Sequence, residues 1–89
     1  MTHIVKRRGH KQKFDERKLY ASIYAACLAA NVEKEEAAAT SNLVVREVKK
    51  WIGDKEEVTS DQIFKKAGEE LKHLNKESSF MYTTHRDIS

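Results

Sequence analysis

The chain has 89 residues, a formal net charge of +3, no proline and a single cysteine; that length accommodates one domain, residues 1–89, and excludes a catalytic domain joined to a regulatory one. With 39% apolar and 35% charged residues, it reads as a soluble globular domain with a heavily solvated surface. No run of about 18 apolar residues offers a membrane span, no signal-peptide core is present, and Cys27 alone makes no internal disulfide, so a cytoplasmic location is expected.

The charge is unevenly placed. Residues 1–18 carry seven Lys/Arg and two acids, whereas the other 71 carry ten basic and twelve acidic residues. A positive end on a slightly negative body points to an anionic partner at that end, against the rival reading of a merely solvated terminus.

In chain order, Thr2–Arg7 and His10–Phe14 are short β-capable segments. A two-residue Arg8-Gly9 loop joins them as a hairpin, because glycine tolerates the positive φ that such turns need. From Asp15, which can cap a first turn, Leu19, Ile23, Ala26/Cys27 and Ala30 follow helical spacing as far as Asn31. A second helix is expected over about Glu33 to Trp51, with an inner face of Ala37, Thr40, Val44, Val48 and Trp51/Ile52. Its glutamates come early and its lysines late, matching the helix dipole, and Gly53-Asp54 stops it. Thr59-Ser60-Asp61-Gln62 has capping-box spacing and opens a third helix with face Ile63, Ala67, Leu71 and Leu74, closed by Asn75. The last segment, about Glu77 to Arg86, is a weaker helix because of its β-branched Thr83-Thr84 pair. The expected fold is α+β and mostly α, a four-helix bundle capped by a small N-terminal β-hairpin or three-stranded sheet.

Catalytic patterns are missing. There is no phosphate-binding G-x-x-x-x-G-K-[ST] loop, no G-x-G-x-x-G turn and no nucleophile elbow. The four histidines lack metal-ligand spacing and read as surface residues, Cys27 lies on an apolar helix face as a small hydrophobe, and the carboxylates occupy solvated faces. The expectation is a binder and no enzyme, with no metal site of its own.

The informative stretch runs from Ile4 to Leu19. It gathers Lys6, Arg7 and Arg8 at a tight turn and returns to a helix start bearing Lys18. Lysine binds phosphate as a mobile point charge and arginine binds it bidentately, so a triphosphate between hairpin and helix would meet several cations at once. An amphipathic hairpin that packs Val5 and Phe14 while its lysines are solvated accounts for the same residues. So does a phosphate-contacting nucleic-acid surface, although the small net charge and acidic helices argue against a broad basic footprint. A helical protein-interaction module without a ligand is the third reading.

The stretch Ile4-Val5-Lys6-Arg7-Arg8-Gly9, followed by Phe14, Asp15 and Lys18-Leu19, resembles the V-x-K-R-x-G and K-[LI] pattern of the ATP-cone domain. The resemblance continues through Val58-Thr59-Ser60-x-x-Ile63 to Tyr82-x-x-His85-Arg86, nearly the whole chain. That domain is the allosteric module of many ribonucleotide reductases and of the repressor of reductase genes. The resemblance implies a four-helix bundle roofed by a three-stranded sheet, and a regulatory, allosteric site for ATP or dATP, with Mg2+ able to accompany the phosphates. It assigns Lys6 and Arg7 to the phosphates, with added charge from Lys18 and Arg86. Ile4, Leu19 and Ser22 would line the base or sugar, Gln12 and Asp15 would lie near the ligand, and Thr59 or Ser60 together with Phe64 would contact it from the third helix. The regulated partner would be another protein or a second copy. Arg8, Gln12 and His85 depart from the family pattern and leave the choice between ATP and dATP open. Neither a zinc ribbon nor a reductase domain accompanies the pattern, so the expectation is a cone either free-standing or cut from a longer chain.

Overall fold

The computed structural model describes the backbone of residues 3–5, 11–53 and 55–84, and the side chains among them from residue 14 onward. The order is β1 (His3–Val5), β2 (Lys11–Lys13), α1 (Glu16–Ala29), α2 (Lys34–Ile52), β3 (Glu57–Thr59), α3 (Ser60–Leu74) and α4 (Lys76–Thr84). The mostly helical architecture with four helices is the one expected. Each of α1 and α3 packs against both α2 and α4, so the helices form a ring with α1 and α3 on one diagonal.

The helix boundaries follow local chemistry. The Asp15 carboxylate accepts the Arg17 backbone N–H at 2.9 Å and starts α1. Asn31, at φ 64°, takes the left-handed conformation just past the end of α1. Gly53, at φ 46°, ends α2 in the half of backbone space that favours glycine. Thr59 and Gln62 form a reciprocal capping box at α3, with bonds of 3.0 and 2.9 Å. Asn75 ends one helix and starts the next: its N–H donates to the Leu71 carbonyl, while its side-chain oxygen accepts the Ser78 N–H at 2.8 Å.

The core is one cluster in which Ile23, Cys27, Ala37, Val44, Val48, Ala67 and Leu71 are fully buried. Two expected inward positions differ. On α2 it is Ser41 that is buried while Thr40 is half-buried, because the Ser41 hydroxyl donates to the Ala37 carbonyl at 2.7 Å and needs no other partner. Leu74 is 48% exposed, since the inward stripe of α3 ends at Leu71 and the chain turns at Asn75.

Three short strands pair in the order β2-β1-β3. β1 is antiparallel to β2, with Ile4 opposite Gln12, and parallel to β3, with Ile4 opposite Val58. β3 is the third strand that hydropathy patterning alone does not place. The β1–β2 register leaves an odd number of residues, 6–10, between the paired ends. The Arg8-Gly9 loop expected to join them lies outside the described residues.

Helix α4 is held by small polar residues. Ser78 and Ser79 are buried, while Phe80 is 63% exposed. The Ser79 hydroxyl donates to the Gly68 carbonyl at 2.8 Å, and a Cβ on Gly68 would meet Thr83 Cγ2 at 3.2 Å, so α3 and α4 are close there. Ser78 Oγ has no hydrogen-bond partner of standard geometry; it faces the Cys27 thiol, which burial pushes up in pKa and Ser78 only partly draws back. These two serines therefore respond differently to truncation. Ser79→Ala removes a satisfied buried bond and is expected to cost about 1 kcal/mol, lowering the melting temperature by roughly 4–8 °C. Ser78→Ala deletes an unsatisfied group and is expected to melt at or above the parent temperature, as calorimetry of the two variants would reveal.

Candidate functional site

The strand pairing gathers distant parts of the chain at one end of the bundle. β2 leads into α1 through Phe14 and Asp15, and β3 runs directly into α3. Since β1 pairs with both strands, α1 and α3 both begin beside the sheet, and Val5 lies opposite Thr59. Two helix N-termini, each with a partial positive charge, therefore share that end. The C-terminal part of α2 reaches the same end, where the Lys49 ammonium lies 2.7 Å from the Glu16 carboxylate.

On α1, Lys18 is exposed and has no ion-pair partner among the described residues. Ser22 lies one turn further along, and its hydroxyl donates to the Lys18 carbonyl at 3.0 Å. Leu19, between them, is 7% exposed and belongs to the core cluster, so it offers a ligand only an edge. Asp15 is engaged as the helix cap, and Arg17 Nε lies 3.6 Å from the same carboxylate oxygen. The backbone N–H of Arg17 holds the Asp15 carboxyl below its ordinary pKa.

On α3, the Thr59 hydroxyl accepts the Gln62 N–H within the capping box. Ser60 is half-buried, and its hydroxyl is without a hydrogen-bond partner among the described residues. One turn on, Phe64 is half-buried and stacks on Tyr82 of α4, with ring centroids 5.0 Å apart and planes at 25°. Burial pushes the Tyr82 phenol up to about 12, so it is neutral at physiological pH. The expected site residues thus fall into two groups, Asp15, Lys18, Leu19 and Ser22 on α1, and Thr59, Ser60 and Phe64 on α3. Backbone pairing between Ile4 and Gln12, and between Ile4 and Val58, connects them. Lys6, Arg7 and Arg86 lie outside the described residues, as do the side chains of Ile4 and Gln12.

Tyr82 is an addition to this set. The Tyr82-x-x-His85-Arg86 pattern gives it no role; its ring contact with Phe64 shows that α4 touches α3 at this position. Phe64 also lines a shallow groove of about 690 Å³ between α3 and α4, bordered by Gly68, Phe80 and Thr83. A second groove, of about 610 Å³, runs between Glu16 on α1 and Arg46, Lys49 and Lys50 on α2. Among the described residues, no group of three His, Cys, Asp or Glu is placed to hold a metal ion, and no helix is long and apolar enough to cross a membrane.

The family model described as the ATP cone domain matches residues 2–86, nearly the whole chain. No curated protein matches the sequence.

The Asp15 cap makes a pH-dependent contribution whose sign is fixed. Its folded pKa lies below the unfolded one, so the stabilisation is complete above about pH 4 and is lost as pH falls through the folded value. Thermal melts of the parent chain and Asp15→Ala are therefore expected to differ by a few degrees at pH 7. The difference should narrow progressively as pH falls from about 4 through the lowered folded value; a gap that did not narrow with acid would mean that the charge is not what stabilises the helix start.

Proposed function

The chain belongs to the ATP cone domain family, and we propose on that footing that it senses adenine nucleotides, ATP or dATP, at the sheet end of the bundle and passes their binding on to a partner or to self-association. The family is a nucleotide-binding regulatory domain and has no catalytic role of its own. The observation that carries the reading is the strand register, which seats the segment leading into Lys6 beside the first residues of α3 and next to the strand that leads into α1.

In this reading the whole of residues 1–89 acts as one domain, and the small sheet caps the bundle where α1 and α3 begin. Lys6 and Arg7 approach the phosphates from the hairpin, Lys18 supplies a cation with no competing ion pair among the described residues, and Arg86 adds charge from the chain's end. The two helix N-termini favour the same anion. Ser60, whose hydroxyl has no partner among the described residues, is a better ligand contact than Thr59, whose hydroxyl already serves its own helix. Ile4, Leu19, Ser22 and Phe64 border the base and sugar, with Gln12 and Asp15 at the rim. Mg2+ accompanies the phosphates when it is present, held by them more than by protein carboxylates.

Regulation requires the nucleotide to bind one arrangement of the domain better than another. The Phe64–Tyr82 stack supports a route for that difference: a base drawn against Phe64 on α3 changes what α4 packs on. Localisation in the cytoplasm and a link to ribonucleotide reduction belong to the same proposal.

Calorimetric titration with ATP and with dATP, each with and without magnesium, tests it. We expect saturable binding, weakened about tenfold or more by Lys6→Ala and by Lys18→Ala, because each removes a charge-assisted contact. No heat with either nucleotide, or unchanged affinity in both variants, would overturn the assignment.

A further inference from the structure

We propose that two copies of this chain pair through the outer face of α2, antiparallel about a two-fold axis at Leu43. The inference rests on this helix alone and does not depend on the nucleotide site.

The inward face of α2 is Ala37, Ser41, Val44, Val48 and Ile52. The opposite face carries Glu36, Ala39, Leu43, Arg46 and Lys50, all exposed. Leu43 is 42% exposed and is the midpoint of the 19-residue helix Lys34–Ile52. Glu36 and Lys50 each lie seven positions from it, two turns less about 20°, so the three side chains form one stripe.

An exposed leucine by itself is ordinary, and acids early with lysines late is what the helix dipole favours. Neither accounts for their symmetry. A two-fold axis through Leu43 maps position 36 of one copy onto position 50 of the other, so each end of the pair sets Glu36 against the partner's Lys50 while the two Leu43 side chains meet in the middle. This self-complementarity is what an isologous interface requires. Both charges are available for it. Glu36 has no ion pair among the described residues, and Lys50 has only an exposed contact of 3.6 Å to Glu47 on its own helix, of a kind worth little. Ala39 lets the helices approach closely. A parallel pair would set Glu36 against Glu36 and Lys50 against Lys50, and is disfavoured.

One helix pair buries less than a standard interface, so the dimer is expected to be weak, with a dissociation constant on the order of 100 µM. Sedimentation equilibrium of the full chain in nucleotide-free buffer, from about 10 µM to 1 mM, would measure it. Leu43→Asp is expected to abolish association. Glu36→Lys and Lys50→Glu each raise the dissociation constant about fivefold, and the two combined recover the parent value. Circular dichroism melts confirm that the variants fold.

Cross-linking reads the axis directly. Leu43→Cys forms an intermolecular disulfide under mild oxidation because position 43 meets its own symmetry mate. Glu36→Cys does not, since the two copies of position 36 lie about 21 Å apart along the pair. The buried Cys27 does not compete. A monomer at 1 mM, a dimer indifferent to Leu43→Asp, charge reversals that do not compensate, or cross-linking through position 36 as readily as through 43 would each overturn the proposal. Every one of these outcomes leaves the nucleotide assignment standing.

Discussion

Val58 ties the two halves of this molecule together. Its side chain is 2% exposed and joins the apolar cluster shared by the helices, while its backbone lies opposite Ile4 in the parallel pair. Three strands of three residues each are too short to be stable alone. Burial of this one side chain, at roughly 1.5–3 kcal/mol, fixes β3 on the bundle and gives β1 a seat. The placement of β1 and β2 beside the starts of α1 and α3 follows from that attachment.

Much of this was legible in the amino-acid sequence because it depends on local chemistry. Asp15, Asn31, Gly53 and Thr59 with Gln62 mark helix ends by mechanisms confined to a few neighbouring residues, and they stand where that chemistry places them. The inward stripes of α1 and α3 follow from spacing alone as far as Leu71. What was not legible depends on partners far along the chain. Glu57-Val58-Thr59 is too short to carry a periodic signal, and its pairing with residues 3–5 leaves no trace in either segment. Ser78 and Ser79 carry no apolar signal, yet they are buried, Ser79 bonded to the Gly68 carbonyl and Ser78 beside Cys27.

The candidate site divides in the same way. Residue-type reasoning reached the idea of an anion at the basic end, and the spacing from Lys6 to Lys18 and onward to Ser60 carried the family. Neither could distinguish Thr59 from Ser60, a choice that the capping box informs by engaging one hydroxyl and leaving the other without a partner among the described residues. Nor could they show that Phe64 rests on a ring from the last helix. A module built this way has little apolar mass behind α4: two buried serines and one half-buried tyrosine hold it, so its position depends on small contacts.

The single-residue joint at Asn75 has a kinetic consequence. Because α3 and α4 are separated by one amino acid, the contact between Ser79 and Gly68 closes a loop of only eleven positions, whereas Ile4 must find Val58 across fifty-four. The entropic cost of closing a loop grows with its length. The helical hairpin of α3 and α4 is therefore the natural early structure in folding, and the parallel strand contact the late one. The end of the molecule that assembles last is then the end proposed to hold the nucleotide. A ligand there would act as a fastener on the final folding step, slowing the chain's release from its native form and doing little to hasten its arrival.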